Sequence, residues 1–130
     1  MAGESPEELI RQTEAARGYL NPGHLYLAEA DPEYLVQYNR LAALSLKHNE
    51  HESDQRSDLA PQYRELVACA LLAFRGESEE AIAGHLKRAM RLGATEAECV
   101  GAFEAAMIPG GAPTLLRGMR VLAAIKRGDY

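Results

Sequence analysis

Cysteine is scarce in this chain: only Cys69 and Cys99 occur, thirty positions apart, with no second pair near either. That count excludes a disulfide framework and a four-ligand zinc site, and it predicts two reduced, partly buried thiols. Long apolar runs are also missing. The longest, Leu66 to Phe74, falls far short of the ~20 residues that a membrane-spanning helix needs, so no bilayer crossing is expected. The first residues, Met-Ala-Gly-Glu-Ser-Pro-Glu-Glu, lack the basic start and apolar stretch of a secretory signal, which points to the cytoplasm.

Proline (6) and glycine (11) are too few for a disordered or collagen-like chain, and 47% hydrophobic with 25% charged residues is ordinary for a globular one. A length of 130 residues suits one domain, residues 1–130, large enough to bury a core without staples. Basic charge is in deficit. The net charge is −5, and residues 1–60 hold 5 basic against 11 acidic side chains while residues 61–130 hold 9 against 8. Non-specific nucleic-acid binding needs a basic surface, so no nucleic-acid partner is expected.

The period-two alternation of a half-buried strand is absent throughout, and the expected fold class is all-α. Ser5-Pro6-Glu7-Glu8 is an N-cap followed by proline, which predicts a helix from Pro6 to about Tyr19. Asn21-Pro22-Gly23 reads as a break. Asp31-Pro32 repeats the cap-and-proline start and opens a second helix to about Lys47, with Leu35, Val36, Leu41, Leu44 and Leu46 at helical spacing. Residues 48–58 are polar and aperiodic, and so read as a connector. Pro61 opens a third helix, apolar on every side from Leu66 to Phe74, as befits a helix enclosed by neighbours or by another subunit. After a turn at Arg75-Gly76-Glu77-Ser78 a fourth helix reaches Leu92, ended by Gly93. Thr95-Glu96-Ala97-Glu98 is a capping box for a fifth, reaching about Ile108, and a sixth runs from Pro113 to about Arg127. The expectation is a compact six-helix protomer.

Among the polar residues, Glu65 stands one residue before the apolar run, on the face of Cys69 and Leu72. His85 shares a face with Ile82, Ala89 and Leu92 on the fourth helix. If the third and fourth helices pack antiparallel across the turn at Gly76, the two lie at comparable depth, and a Glu–His pair can divide acid and base roles. The plainer alternative is a helix-start glutamate and a satisfied core histidine. His48 and His51 have no third and fourth ligand at a recognised spacing, so no metal is expected. Pro109-Gly110-Gly111-Ala112-Pro113 lacks the lysine and spacing of a P-loop and reads as a tight interhelical turn.

Tyr63-Arg64-Glu65-Leu66-Val67, Gly84-His85-Leu86-Lys87-Arg88-Ala89, Leu92-Gly93-Ala94-Thr95-Glu96-Ala97-Glu98 and Ile108-Pro109-Gly110-Gly111-Ala112-Pro113 occur in that order. In order and spacing they resemble the core of the carboxymuconolactone decarboxylase and alkylhydroperoxidase D superfamily, over about residues 59–120. The resemblance implies a helical protomer assembled as homotrimers or homohexamers, with a pocket near a subunit interface and no cofactor. The peroxidase branch carries a Cys-x-x-Cys pair whose positions, counted back from His85, fall here on Ser78 and Ala81. Without that pair, disulfide-cycling chemistry loses its nucleophile.

The decarboxylase branch does without cysteines. It implies a small anionic substrate, a γ-carboxylated butenolide, with His85 as acid or enolate donor, Glu65 orienting it, and Arg64 or Arg88 holding the substrate carboxylate. Two alternatives stand beside it: a thiol peroxidase using Cys69 or Cys99, and a non-catalytic oligomeric binding module in which Glu65 and His85 complete a buried hydrogen bond.

Overall fold

Three of the described helix starts, at Ser5-Pro6, Asn21-Pro22 and Asp31-Pro32, combine a capping side chain with proline in the first turn. The computed structural model describes residues 3–46 and 59–130. It contains α1 (Pro6–Arg17), α2 (Pro22–Ala30), α3 (Pro32–Leu46), α4 (Pro61–Arg75), α5 (Glu79–Arg91), α6 (Glu96–Gly110) and α7 (Ala112–Arg127), with no strand among the described residues. The polar connector at 48–58, with His48 and His51, lies outside the described residues.

Among the described residues seven helices therefore replace the expected six, and α2 is the addition. Asn21-Pro22 starts a helix in the same way as Ser5-Pro6. The Asn21 side chain accepts from the Gly23 N–H at 2.7 Å, and the Asn21 N–H donates to His24 Nδ1 at 3.2 Å. The break lies earlier, at Gly18, whose φ of 78° is the left-handed conformation that glycine adopts without penalty. Elsewhere the caps follow the sequence: Ser5 accepts from the Glu8 N–H, and Thr95 and Glu98 form a reciprocal capping box. Gly111 alone separates α6 from α7, making the expected tight turn.

The helices gather into two groups. The last four pack on one another, α4 most extensively on α5 and α6 on α7. Their core holds Leu66, Cys69, Ile82, Leu86, Phe103 and Val121, all 6% exposed or less. Burying each large apolar side chain stabilises the fold by roughly 1.5–3 kcal/mol. The first three helices form a triangle around Leu9, Ala28 and Leu35, a separate and smaller core.

The triangle meets the larger group where α3 touches α4 and α1 touches α5. At the second seam two glycines let backbone approach backbone: the Cβ position of Gly18 lies 3.5 Å from the Gly84 carbonyl oxygen. Among the described residues no helix is long and apolar enough to cross a membrane.

Candidate functional site

Glu65 sits on the core face of α4, in line with Cys69 and Ala73, and is completely buried. The turn at Gly76, again with positive φ, folds α5 back along α4, so that His85 and Arg88, one helical turn apart, face Glu65. His85 Nδ1 lies 2.6 Å from Glu65 Oε2, and Arg88 Nε donates to Glu65 Oε1 at 2.9 Å. Exposures of 0% for Glu65, 7% for His85 and 8% for Arg88 place the cluster in the protein interior. A carboxylate oxygen only accepts, so the shared proton sits on His85 Nδ1 and Nε2 is the ring nitrogen left to exchange a proton.

His85 borders a cavity of about 710 Å³ between the N-terminal triangle and the α4–α5 pair, within the range that holds a small ligand. One wall is apolar, with Leu71, Leu72 and Phe74 of α4. The other is polar and comes from the triangle: Arg17 at the end of α1, Tyr19 just after it, His24 of α2 and Tyr38 of α3. The rings form a chain. Tyr19 lies 5.8 Å from His85 and 6.1 Å from His24, centroid to centroid, and His24 lies 6.0 Å from Tyr38.

Burial pushes the His24 imidazole below its ordinary pKa, with a smaller contribution from the Arg17 charge. Its Nδ1 accepts the Asn21 N–H, which leaves the ring proton on Nε2 as a donor. Burial raises the Tyr19 phenol, partly offset by Arg17. The phenol therefore keeps its proton at neutral pH. At the cavity's edge Arg75 and Glu77 pair at 3.0 Å.

The structure thus brings together Glu65, His85 and Arg88. It does not bring Arg64 to them: that guanidinium donates to the main-chain oxygens of Leu59 at 2.7 Å and Ser45 at 3.1 Å, tying the end of α3 to the start of α4. Nor does Arg88 line the cavity; its guanidinium is engaged with Glu65. Cys69 is sealed in the core with its Sγ 3.9 Å from the Ile82 carbonyl. Burial first, and then the Glu65 charge, push its thiol well above the ordinary value. Cys99 is also buried, its thiol raised by burial and by Glu98. Neither is the exposed, low-pKa thiolate that peroxide attack requires. Ser78 is the N-cap of α5, its hydroxyl accepting at 3.2 Å from the N–H of Ala81 in the first turn.

The polar wall is what sequence reasoning missed. One signal was present: Leu9, Thr13 and Arg17 recur every four residues and are the buried face of α1, so a cation ends an inward-facing stripe.

A family model described as "Carboxymuconolactone decarboxylase family" matches residues 39–124. Glu65, His85 and Arg88 fall inside that stretch; Arg17, Tyr19, His24 and Tyr38 fall outside it. The fold is similar to the crystal structure of a "putative carboxymuconolactone decarboxylase" from Burkholderia xenovorans LB400, with a TM-score of 0.73, 21% identity and 95% of each chain covered. Comparison with curated proteins gives no match.

Proposed function

This chain belongs to the carboxymuconolactone decarboxylase family, and from that premise we propose that it is a decarboxylase of a small anionic lactone or related ring-cleavage product. His85 moves the proton and Glu65 positions His85. The observation that carries this reading is the 2.6 Å contact between Glu65 and a histidine that borders the cavity.

The chemistry follows from the pair. In a γ-carboxylated butenolide the bond from ring carbon to carboxylate breaks and carbon dioxide leaves. The bonding electrons move through the ring double bond onto the lactone carbonyl oxygen, giving a dienolate. A proton on His85 Nε2 is then delivered to carbon, and the imidazole regains one from solvent. Glu65 holds Nδ1 and so fixes the orientation of the ring that delivers the proton, while Arg88 fixes the second carboxylate oxygen. Arg88 is thus a positioning residue.

The reading includes assembly with further copies of this chain. Val67, Leu71 and Phe74 are exposed at helical spacing on α4, with exposed Ile108 on α6. Leu71 and Phe74 also line the cavity, so a second copy laid on this stripe would border the site.

The test is a pair of turnover assays, one with a carboxylated muconolactone and one with an organic peroxide plus thiol. Lactone turnover that disappears in His85→Ala supports the reading. Peroxide turnover without lactone turnover overturns it.

A further inference from the structure

We propose that Arg17 is the residue that holds the ligand's carboxylate, and that with Tyr19, His24 and Tyr38 it forms a specificity subsite for a small, flat, conjugated ring carboxylate. The inference rests on the reading of the His85 cavity as the working site. It differs from it in assigning ligand recognition to the N-terminal triangle.

Arg17 is only 7% exposed, it lines the cavity, and its Nε has no hydrogen-bond partner. Among the described residues no carboxylate forms an ion pair with it. A guanidinium taken out of water without a counter-charge loses its hydration with no compensating attraction. A bound carboxylate offsets that loss and meets the planar N–H fork that guanidinium presents.

The group is also held ready. Its Cζ lies 4.6 Å from the centre of the Tyr38 ring, and Nη2 reaches Asn39 Oδ1 at 3.5 Å. Asn39 is oriented in turn by donating to Thr13 Oγ1 at 2.9 Å, whose hydroxyl donates to the Leu9 carbonyl at 2.7 Å. Such preorganisation removes part of the entropy cost of binding.

The ligand class follows from the rest of the wall. Tyr19 and His24 each offer a donor, suited to a second oxygen on the ligand, and the rings together with Leu71, Leu72 and Phe74 suit a flat apolar body. Among the described residues the one acidic side chain on the wall, Glu77, is paired with Arg75. Tyr19 lies between His24 and His85, so a molecule anchored at Arg17 extends along the rings toward the proton carrier. The Glu65–His85–Arg88 cluster comes from the stretch matched by the family model, and Arg17, Tyr19, His24 and Tyr38 lie outside it.

The test needs no turnover. Isothermal titration with benzoate, and with benzamide as its uncharged counterpart, is run on the wild type and on Arg17→Met, Arg17→Lys and Arg11→Met, the last an exposed cation of the same helix away from the cavity, each checked for native far-ultraviolet circular dichroism. The expected result is benzoate binding to the wild type and to Arg11→Met within about threefold, a loss of at least about tenfold in Arg17→Met, partial recovery in Arg17→Lys, and weak benzamide binding throughout. If Arg17→Met does not fold, Arg17→Lys alone still shifts benzoate without shifting benzamide. Benzoate affinity untouched by either Arg17 substitution, equal affinity for benzamide, or no benzoate binding to the wild type overturns the assignment. Absent lactone turnover with benzoate binding intact overturns the decarboxylase reading alone.

Discussion

Gly84 and Tyr19 are in direct contact: a Cβ at position 84 would lie 2.8 Å from Tyr19 Cδ1, and 3.0 Å from the Arg17 carbonyl oxygen. The residue before His85 thus has to be the smallest, because the chain leaving α1 is pressed against it. This contact joins the N-terminal wall to the helix that carries the proton group.

Gly84→Ala should displace that chain. The added methyl meets main chain as well as a side chain, so the expected cost is roughly 1–3 kcal/mol of stability. Benzoate affinity should fall with it, because Arg17 and Tyr19 move together. Urea unfolding and titration of the same preparation check both. Unchanged values in both would mean that the seam yields freely.

Glu65→Ala removes the buried carboxylate that accepts from both His85 and Arg88. The expected destabilisation is about 3–5 kcal/mol, the range for breaking a buried ion pair on one side. Denaturant midpoints measure it. A loss below about 1 kcal/mol, typical of exposed pairs, would show that the cluster is more hydrated than its burial implies.

The cysteines should be silent in catalysis and visible in stability. Cys69→Ala and Cys99→Ala should leave lactone kcat within about threefold, since neither thiol belongs to the acid–base route. The fold raises the Cys69 thiol above its ordinary value of 9.0. Above that pH the unfolded chain therefore holds fewer protons than the native one. Stability from this group is complete below 9.0 and is lost as the pH climbs through the higher native value. The wild type should thus lose stability more steeply than Cys69→Ala in alkaline buffer. Parallel curves would contradict the shift.

Leu71→Asp places a charge in the exposed α4 stripe. The wild type should elute as a multiple of the 14.2 kDa chain, and the variant as a smaller species of native helicity. A monomeric wild type in light scattering would remove the second-copy reading.

Local chemistry in the sequence was enough for much of this architecture. The Thr95–Glu98 capping box and the Gly76 turn each act within a few residues, and the turn alone makes α4 and α5 antiparallel, which is why Glu65 and His85 were legible as a pair. Asn21-Pro22 was read as a break because proline ends one helix as readily as it starts another; only Gly18 shows where α1 stops. The Arg17 wall left only the inward stripe of α1 as a trace in the sequence, for a different reason. Its residues meet through contacts between separate helices, as Arg17 does with Tyr38, and no periodicity encodes such a contact. Arg64 was a plausible anion holder beside Glu65 in sequence, but neighbours in a helix point to different faces, and it spends its donors on main-chain oxygens instead.

The central claim, that His85 carries the proton, is tested most directly by His85→Gln, assayed on a carboxylated muconolactone and titrated with benzoate. With His85 as the proton carrier, kcat falls by about 10²–10⁴ while benzoate affinity stays within about threefold of the wild type. A variant that turns the lactone over at the wild-type rate would contradict it.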